Sequence, residues 1–237
     1  MAGNLQVNGV DFDNYYIPNT SFISYNDTTL WSWGRNLGGF LGLGDTADRS
    51  SPVQSGSVII WSLVSGGGYH SLAVKTNGTL WSWGSNGNGQ LGDGTTTSRS
   101  SPVQVGALTN WSLVSGGQYH SLAIKTDGTL WSWGQNTYGQ LGQSDIVHRS
   151  SPVQVGALTT WSKVAAGAYH SLAIKTDGTL WSWGINSNGQ LGDGTTTSRS
   201  SPVQIGALTN WSSIAGGAVG HSLAVKTDGT LWAWGWN

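Results

Sequence analysis

The chain has no cysteine and no glutamate, a single methionine, and 9% charged residues in 237 positions. An ordinary soluble domain carries roughly 25% charge. Without cysteine there is neither a disulfide framework nor a thiolate metal site, and the usage fits a reducing compartment. Without glutamate every acid is an aspartate, and strong helix formers are scarce, which argues against a helical domain. No run approaches the ~18 apolar residues of a membrane span, so membrane insertion is not expected. Residues 1–10 lack a basic stretch followed by an apolar one, so no signal peptide is expected. The net charge is −1 with no basic cluster, which argues against nucleic acid as a partner.

What is abundant is glycine (37), tryptophan (15), and Ser, Thr and Val. That mixture favours short strands joined by tight turns, with enough apolar surface for a core. The length allows one large all-β domain or two small ones. Self-similarity decides more. LWSWG ends at Gly34, Gly84, Gly134 and Gly184 and returns as LWAWG ending at Gly235, a spacing of 50 residues and then 51. RSSPVQ starts at Arg49, Arg99, Arg149 and Arg199, and Trp61, Trp111, Trp161 and Trp211 keep the same register. Residues 81–112 and 181–212 differ only at positions 85, 87 and 105 of the first copy and their counterparts, the mark of recent duplication.

Each unit reads as four short strands: SPVQV, WSLV, HSLAIKT and TLWSWG. HSLAIKT alternates, with His120, Leu122 and Ile124 on one side and Ser121, Ala123 and Lys125 on the other. Asp127-Gly128 predicts a tight hairpin with a type I′ turn between the last two strands. Four antiparallel strands at a period near 50 predict a β-propeller blade. The expected fold is therefore all-β, a single propeller of about five four-stranded blades, closed into a ring. Blades running from SPVQ to LWSWG would occupy 52–84, 102–134, 152–184 and 202–235. A first blade would occupy 5–34, with Leu5-Gln6-Val7 as its outlying strand and residues 21–26 in the place of HSLAIK.

The run GTLWSWGxNxxGQLGDG, then PVQV, then VSGGxYHSLAIKTD, resembles the repeat of the regulator of chromosome condensation family over about residues 21–237. The resemblance implies a β-propeller, for which seven blades are usual; this chain has room for about five. The family's founding activity is nucleotide exchange on a small GTPase at chromatin. No motif here matches an added wedge hairpin or basic tail, so none of its functional residues is carried over.

Turn positions sort onto two ends: GALTN and TDGT at one, SGGxYH and the link from Asn86 to Ser100 at the other. That link is long for a connection, and Leu91 within it is expected to be buried. His70, His120, His170 and His221 recur once per unit. They could ring the axis as metal ligands, or each could bond neighbouring backbone within its own blade, and symmetry favours the second reading. The paired tryptophans are expected to fill the space between blades, with only Trp236 outside the pattern. Asp93 and Asp193 belong to DGT turns with too few oxygen ligands for calcium. No cofactor and no catalytic group is expected: there is no Cys, no Glu and no G-x-S-x-G.

The places where copies disagree carry the most functional information. Two links read DGTTTS (93–98 and 193–198), but 43–48 reads LGDTAD and 143–148 reads QSDIVH. Drift in exposed loops accounts for such differences; the other reading is that, together with nearby deviations, they mark a candidate partner surface of Arg35, Phe40, Tyr138, Asp145, Ile146, Val147 and His148. Residues 1–20 form a divergent segment ahead of the repeats (21–237), with Tyr15, Tyr16 and Ile17 as candidate attachment residues. The opening NLQVNGVDFDNYY resembles the start of some bacteriophage virion and tail-associated proteins. The resulting expectation is a non-enzymatic virion component that binds virion subunits, a host surface protein or a glycan. The alternative is a cytoplasmic or surface-binding bacterial propeller that recognises protein or carbohydrate.

Overall fold

The computed structural model describes residues 6–7, 10–11, 21–24, 29–56 and 60–237. Among them there are strands and turns and no helix. β1 (Gln6–Val7) and β2 (Val10–Asp11) pair with each other. Five sheets follow. The first holds β3 (Ser21–Ser24), β4 (Leu30–Gly34) and β5 (Arg49–Gln54). The second holds β6 (Trp61–Gly66), β7 (His70–Lys75), β8 (Leu80–Gly84) and β9 (Arg99–Gln104). The third holds β10 (Trp111–Gly116), β11 (His120–Lys125), β12 (Leu130–Gly134) and β13 (Arg149–Gln154). The fourth holds β14 (Trp161–Ala166), β15 (His170–Lys175), β16 (Leu180–Gly184) and β17 (Arg199–Gln204). The fifth holds β18 (Trp211–Gly216), β19 (His221–Lys226) and β20 (Leu231–Gly235). Every pairing is antiparallel, as four-stranded propeller blades require.

This arrangement corrects the expected blade boundaries. RSSPVQ does not open a blade; it is the outer strand of the blade before it, with Trp131 opposite Gln154, Ser132 opposite Val153 and Gly134 opposite Arg149. The cause is the long link, which folds back on itself and returns the chain beside the strand it has just left. GALTN instead carries the chain across to the next blade. Ser21–Ser24 does stand where HSLAIK stands elsewhere, since Ser21 lies opposite Trp33 as Ser71 lies opposite Trp83. Gln6–Val7 is not the outlying strand of the first sheet, because it pairs with Val10–Asp11; Leu5 lies outside the described residues.

The hairpin turn is also of another type. Lys125 accepts from the Gly128 amide at 2.9 Å and donates to the Thr129 carbonyl at 3.0 Å, so three residues, 126–128, form the loop. Only Gly128 has positive φ (77°), as in a type I turn followed by a left-handed glycine. Asp127 holds the turn by accepting from the Thr129 amide and hydroxyl at 3.0 and 2.6 Å. It works from its side chain, and its backbone needs no left-handed geometry.

Blades pack face to face in sequence order. Leu72, Val74, Leu80 and Val105 of one blade meet Trp111, Val114, Ala123 and Trp133 of the next, and the same set recurs at the following interface. Trp83, Trp133 and Trp183 have no exposed surface. Below them, Lys75, Lys125 and Lys175 lay their ammonium groups 3.4–3.6 Å from the ring centres of Trp81, Trp131 and Trp181.

The ring, expected to be closed, is not closed by the described residues. Substantial contacts run from each sheet to its neighbour in sequence, with none joining the fifth to the first among the described residues. Leu231 is 67% exposed, although Leu80, Leu130 and Leu180 at the same position in earlier blades are fully buried. The step between blades is set by nearly identical side chains at each interface, and these repeated steps do not complete a turn.

Trp133→Ala removes a fully buried indole and its bond to the neighbouring blade. A stability loss of about 3–5 kcal/mol is expected in denaturant unfolding of the full chain. A loss below about 1 kcal/mol would show that the blades do not depend on these rings.

Candidate partner-binding face

The long links are held by one buried asparagine each. Asn86 donates through Nδ2 to Asp93 Oδ1 (3.1 Å), Thr95 O (3.0 Å) and Thr97 O (3.1 Å), while its Oδ1 accepts from the Leu91 amide at 2.9 Å. Leu91 is thereby driven fully into the core, as the sequence leads one to expect. The Gln90 carbonyl beside it reaches the next blade and accepts from Trp133 Nε1 (2.9 Å) and Ser121 Oγ (2.8 Å). Gly92 must be glycine twice over: its φ is +74°, and a Cβ would lie 2.7 Å from the Trp133 indole nitrogen.

The histidines are tied across blades. His70 Nε2 lies 2.8 Å from Ser121 Oγ, His120 Nε2 is 3.0 Å from Ser171 Oγ, and His170 Nε2 is 2.9 Å from Ser222 Oγ. The expected bond to backbone within the same blade is therefore replaced by a bond to a neighbour's hydroxyl. Each of these serines donates its proton to a link carbonyl. The imidazole must then be the donor, so these are not nucleophile–base pairs, in which serine would donate to histidine. Burial lowers the affinity of all three for protons, His70 and His120 to a pKa of about 3 and His170 to about 4. Among the described residues no group of His, Cys, Asp or Glu is placed to hold a metal ion.

With the frame fixed in this way, the loops that differ between copies are free to differ. Ile146 (65%) and Val147 (57%) are the most exposed large apolar residues of the 143–148 loop, and Tyr138 is 40% exposed. Arg35 is exposed on the corresponding first link. Phe40 is buried, its ring edge-on to Tyr69 at 6.0 Å. Asp145 and His148 are engaged inside the loop. Asp145 accepts from Asn136 Nδ2 (3.0 Å), the Val147 amide (2.9 Å) and Arg149 (2.6 Å); His148 Nδ1 accepts from the Asn136 amide at 3.2 Å. The Val147 amide, and then Arg149 and Asn136, hold the Asp145 carboxyl below its usual range against a smaller opposing effect of burial.

Asp145 does the work that Asp93 and Asp193 do two positions earlier in the other copies. Burial alone would raise the Asp193 carboxyl. Donation from the Thr195 hydroxyl and amide, Arg199 and Asn186 outweighs it and sets the pKa at about 2. In the variant link Ser144 takes the left-handed place of Gly94, with φ of 65°. The loop has thus kept its course while its outward residues became apolar. The sequence marked the variable positions but missed both this relocated carboxylate and the cross-blade histidine bonds, because a repeat shows which residues recur and not which copy they touch.

Sheets of this kind in this order define a β-propeller built from tandem blades. The sequence profile of the regulator of chromosome condensation (RCC1) repeat matches residues 27–74, 77–124, 127–174 and 177–225. The chain belongs to that family. No curated protein matches its sequence. Among solved structures it is similar to yeast RCC1 (Prp20) bound to Kap60, with 23% identity and a TM-score of 0.81 over 92% of this chain and 54% of that one. Prp20p of Saccharomyces cerevisiae, in a structure described with its binding properties to Gsp1p and histones, gives the same score and identity over 92% and 56%. Human WBSCR16 gives 24% identity and a TM-score of 0.77 over 90% and 58%. The chain therefore spans a little over half the length of these structures.

The buried imidazoles fix the sign of the pH response. An unfolded histidine takes up a proton near pH 6.5. In the folded chain His70 and His120 do so only near pH 3. Between these values the unfolded state binds more protons, so stability is full above about pH 6.5 and falls as pH drops toward 3, by up to about 1.4 kcal/mol per pH unit for each histidine. Denaturant unfolding at half-unit intervals should show that decline, and His120→Gln should remove one histidine's share of its slope. A level profile between pH 6.5 and 4.5 would refute the buried neutral histidines.

Proposed function

We propose that this chain is a non-enzymatic, protein-binding propeller whose partner docks on the long-link face. The observation that carries this reading is the 143–148 loop. A link whose internal bonds are preserved by moving an aspartate nonetheless exposes Ile146 and Val147 where the two DGTTTS copies have threonines. Exposed adjacent apolar residues on a rigid scaffold suit a protein interface. Relatives support the class of partner: Prp20 has been solved bound to Kap60, and Prp20p is described as binding Gsp1p and histones. Arg35, Tyr138, Ile146 and Val147 are the proposed contacts, with Asp145 and His148 holding the 143–148 loop in place.

Membership of a virion is the weaker reading. It rests on the first dozen residues and on Tyr15, Tyr16 and Ile17, which lie outside the described residues, and the family resemblance supplies nothing for it. A bacterial adaptor or surface-binding propeller fits the fold and the exposed loop better.

Replacing 143–148 by DGTTTS tests the reading, because that sequence already folds twice in this chain and restores glycine at position 144. Screened on a protein array and a glycan array, the natural chain should retain a protein. The loop variant should melt at the same temperature or higher and bind that protein at least tenfold more weakly. Retention of glycans alone, or equal affinity of the two chains, would overturn the proposal.

A further inference from the structure

Four of the five sheets finish on the same outer strand. β5, β9, β13 and β17 all read RSSPVQ. In each, the arginine lies opposite the glycine of LWSWG, the valine opposite its serine and the glutamine opposite its first tryptophan. The residue after the glutamine closes the ladder. The amides of Ser55, Val105, Val155 and Ile205 donate to the carbonyls of Leu30, Leu80, Leu130 and Leu180 at 2.8–2.9 Å. Val105 and Val155 are buried against those leucines. Such a strand also blunts its sheet, because it carries an arginine and a proline, two devices that discourage a further strand from adding to an edge.

The fifth sheet has no such strand among the described residues, where β20 pairs with β19 alone. Main-chain groups alternate between the two sides of a strand. Trp232 and Trp234 face β19, opposite Ala224 and Ser222, and the same side continues with the Trp236 amide donating to the Gly220 carbonyl at 3.0 Å. The N–H and C=O groups of Leu231, Ala233 and Gly235 therefore point outward, and among the described residues none of them is hydrogen-bonded. This edge reads LWAWG, with neither charge nor proline to blunt it. Leu231 is 67% exposed and Trp232 beside it is exposed as well. One residue departs from the repeat here. Ser32, Ser82, Ser132 and Ser182 each donate to a carbonyl of their own long link at 2.7–2.8 Å, but Ala233 stands in their place. A serine at 233 covered by a strand without such a link would lack that acceptor, and an alanine leaves nothing to satisfy.

We propose that the outer edge of β20 is a strand-acceptor site, which takes an extended segment of another polypeptide with the pattern Arg-Ser-Ser-Pro-Val-Gln followed by a β-branched apolar residue. The four filled sheets fix its direction and register. The segment runs antiparallel to β20, with its glutamine opposite Trp232, its valine opposite Ala233 and its arginine opposite Gly235, as Gln154, Val153 and Arg149 lie against β12. The β-branched residue donates its amide to the Leu231 carbonyl and covers the Leu231 side chain, as Val155 does for Leu130. Main-chain pairing holds such a strand and its side chains select it. A glycan or nucleic acid has no ladder of amides and carbonyls to match this edge. A second copy of this chain is a poor donor, because its own RSSPVQ strands are each engaged within a sheet. The site lies in a different sheet from the Ile146–Val147 loop and stands without the loop-face reading.

The test uses the full chain and the synthetic peptide RSSPVQVG, which is the sequence of residues 99–106, with VGSPRQSV as a scrambled control. By fluorescence anisotropy RSSPVQVG is expected to bind about tenfold or more tightly than the scrambled peptide. Amide exchange followed by NMR should slow about tenfold or more at Ala233 when RSSPVQVG is added. Ala233→Pro removes that outward N–H without touching the bonds to β19 and should weaken the peptide about tenfold or more. Should this variant lower the melting temperature, Leu231→Gln, at an exposed position, carries the expectation of a several-fold loss. The DGTTTS replacement at 143–148 should leave peptide affinity unchanged. No binding, equal binding of the scrambled peptide, or slowed exchange elsewhere and not at Ala233 would overturn the site. So would an Ala233 amide already protected in the free chain, which sedimentation would assign to residues 1–20 in a monomer or to a second copy in a dimer. Failure of the peptide to bind would leave the loop-face reading standing, since that reading is decided by the DGTTTS variant and its protein partner.

Discussion

A single carbonyl oxygen per repeat carries the architecture. In the second link it belongs to Gln90, and it accepts both the indole proton of Trp133 and the hydroxyl proton of Ser121 from the next blade. That serine in turn receives His70 from the blade behind. Three donor hydrogens that would be costly to bury alone, on the indole, the hydroxyl and the imidazole Nε2, all find acceptors in a dry interface. The geometry of this knot leaves no tolerance for a shifted blade, because a displaced carbonyl strands an indole, a hydroxyl and an imidazole together. The surrounding glycines follow from it: they are small where the imidazole and indole rings need room.

Because the knot is internal, the links outside it can change. The asparagine that pins each link needs a carboxylate nearby, and it finds one at Asp93 and Asp193 in two copies and at Asp45 and Asp145 in the others. The outward positions are then left to vary without cost to the scaffold. This separation of frame from surface is the physical basis for proposing recognition at the long-link end.

Strand identity, the four-stranded unit and the burial of Leu91 and of the Trp133 class of tryptophan were legible from periodicity and alternation. Two features were not. The assignment of RSSPVQ to the preceding sheet was hidden because a cyclic pattern has no intrinsic start, and only the compact fold of the Asn86 link decides which neighbour the strand joins. The histidine partner was hidden for the same reason: His70 and Ser71 are adjacent in sequence, yet His70 bonds Ser121, one period away. The candidate surface was visible as variation, but its division into outward residues (Ile146, Val147) and loop-holding residues (Asp145, His148) depends on hydrogen bonds that no copy number reveals.

The outer strand of each of the first four sheets is the RSSPVQ stretch that opens the next copy of the sequence pattern, so a unit read from SPVQ to LWSWG owns no complete sheet. A segment of one period cut at that register and pasted beside itself arrives with strands of two sheets, and its ends are completed by whichever copies flank it; one cut just ahead of Trp61 or its counterparts carries a whole sheet. Gene duplication in such a chain needs no alignment with structural borders to give a foldable product. The near identity of 81–112 and 181–212, which straddle a sheet boundary, is what an inheritance indifferent to those borders leaves behind.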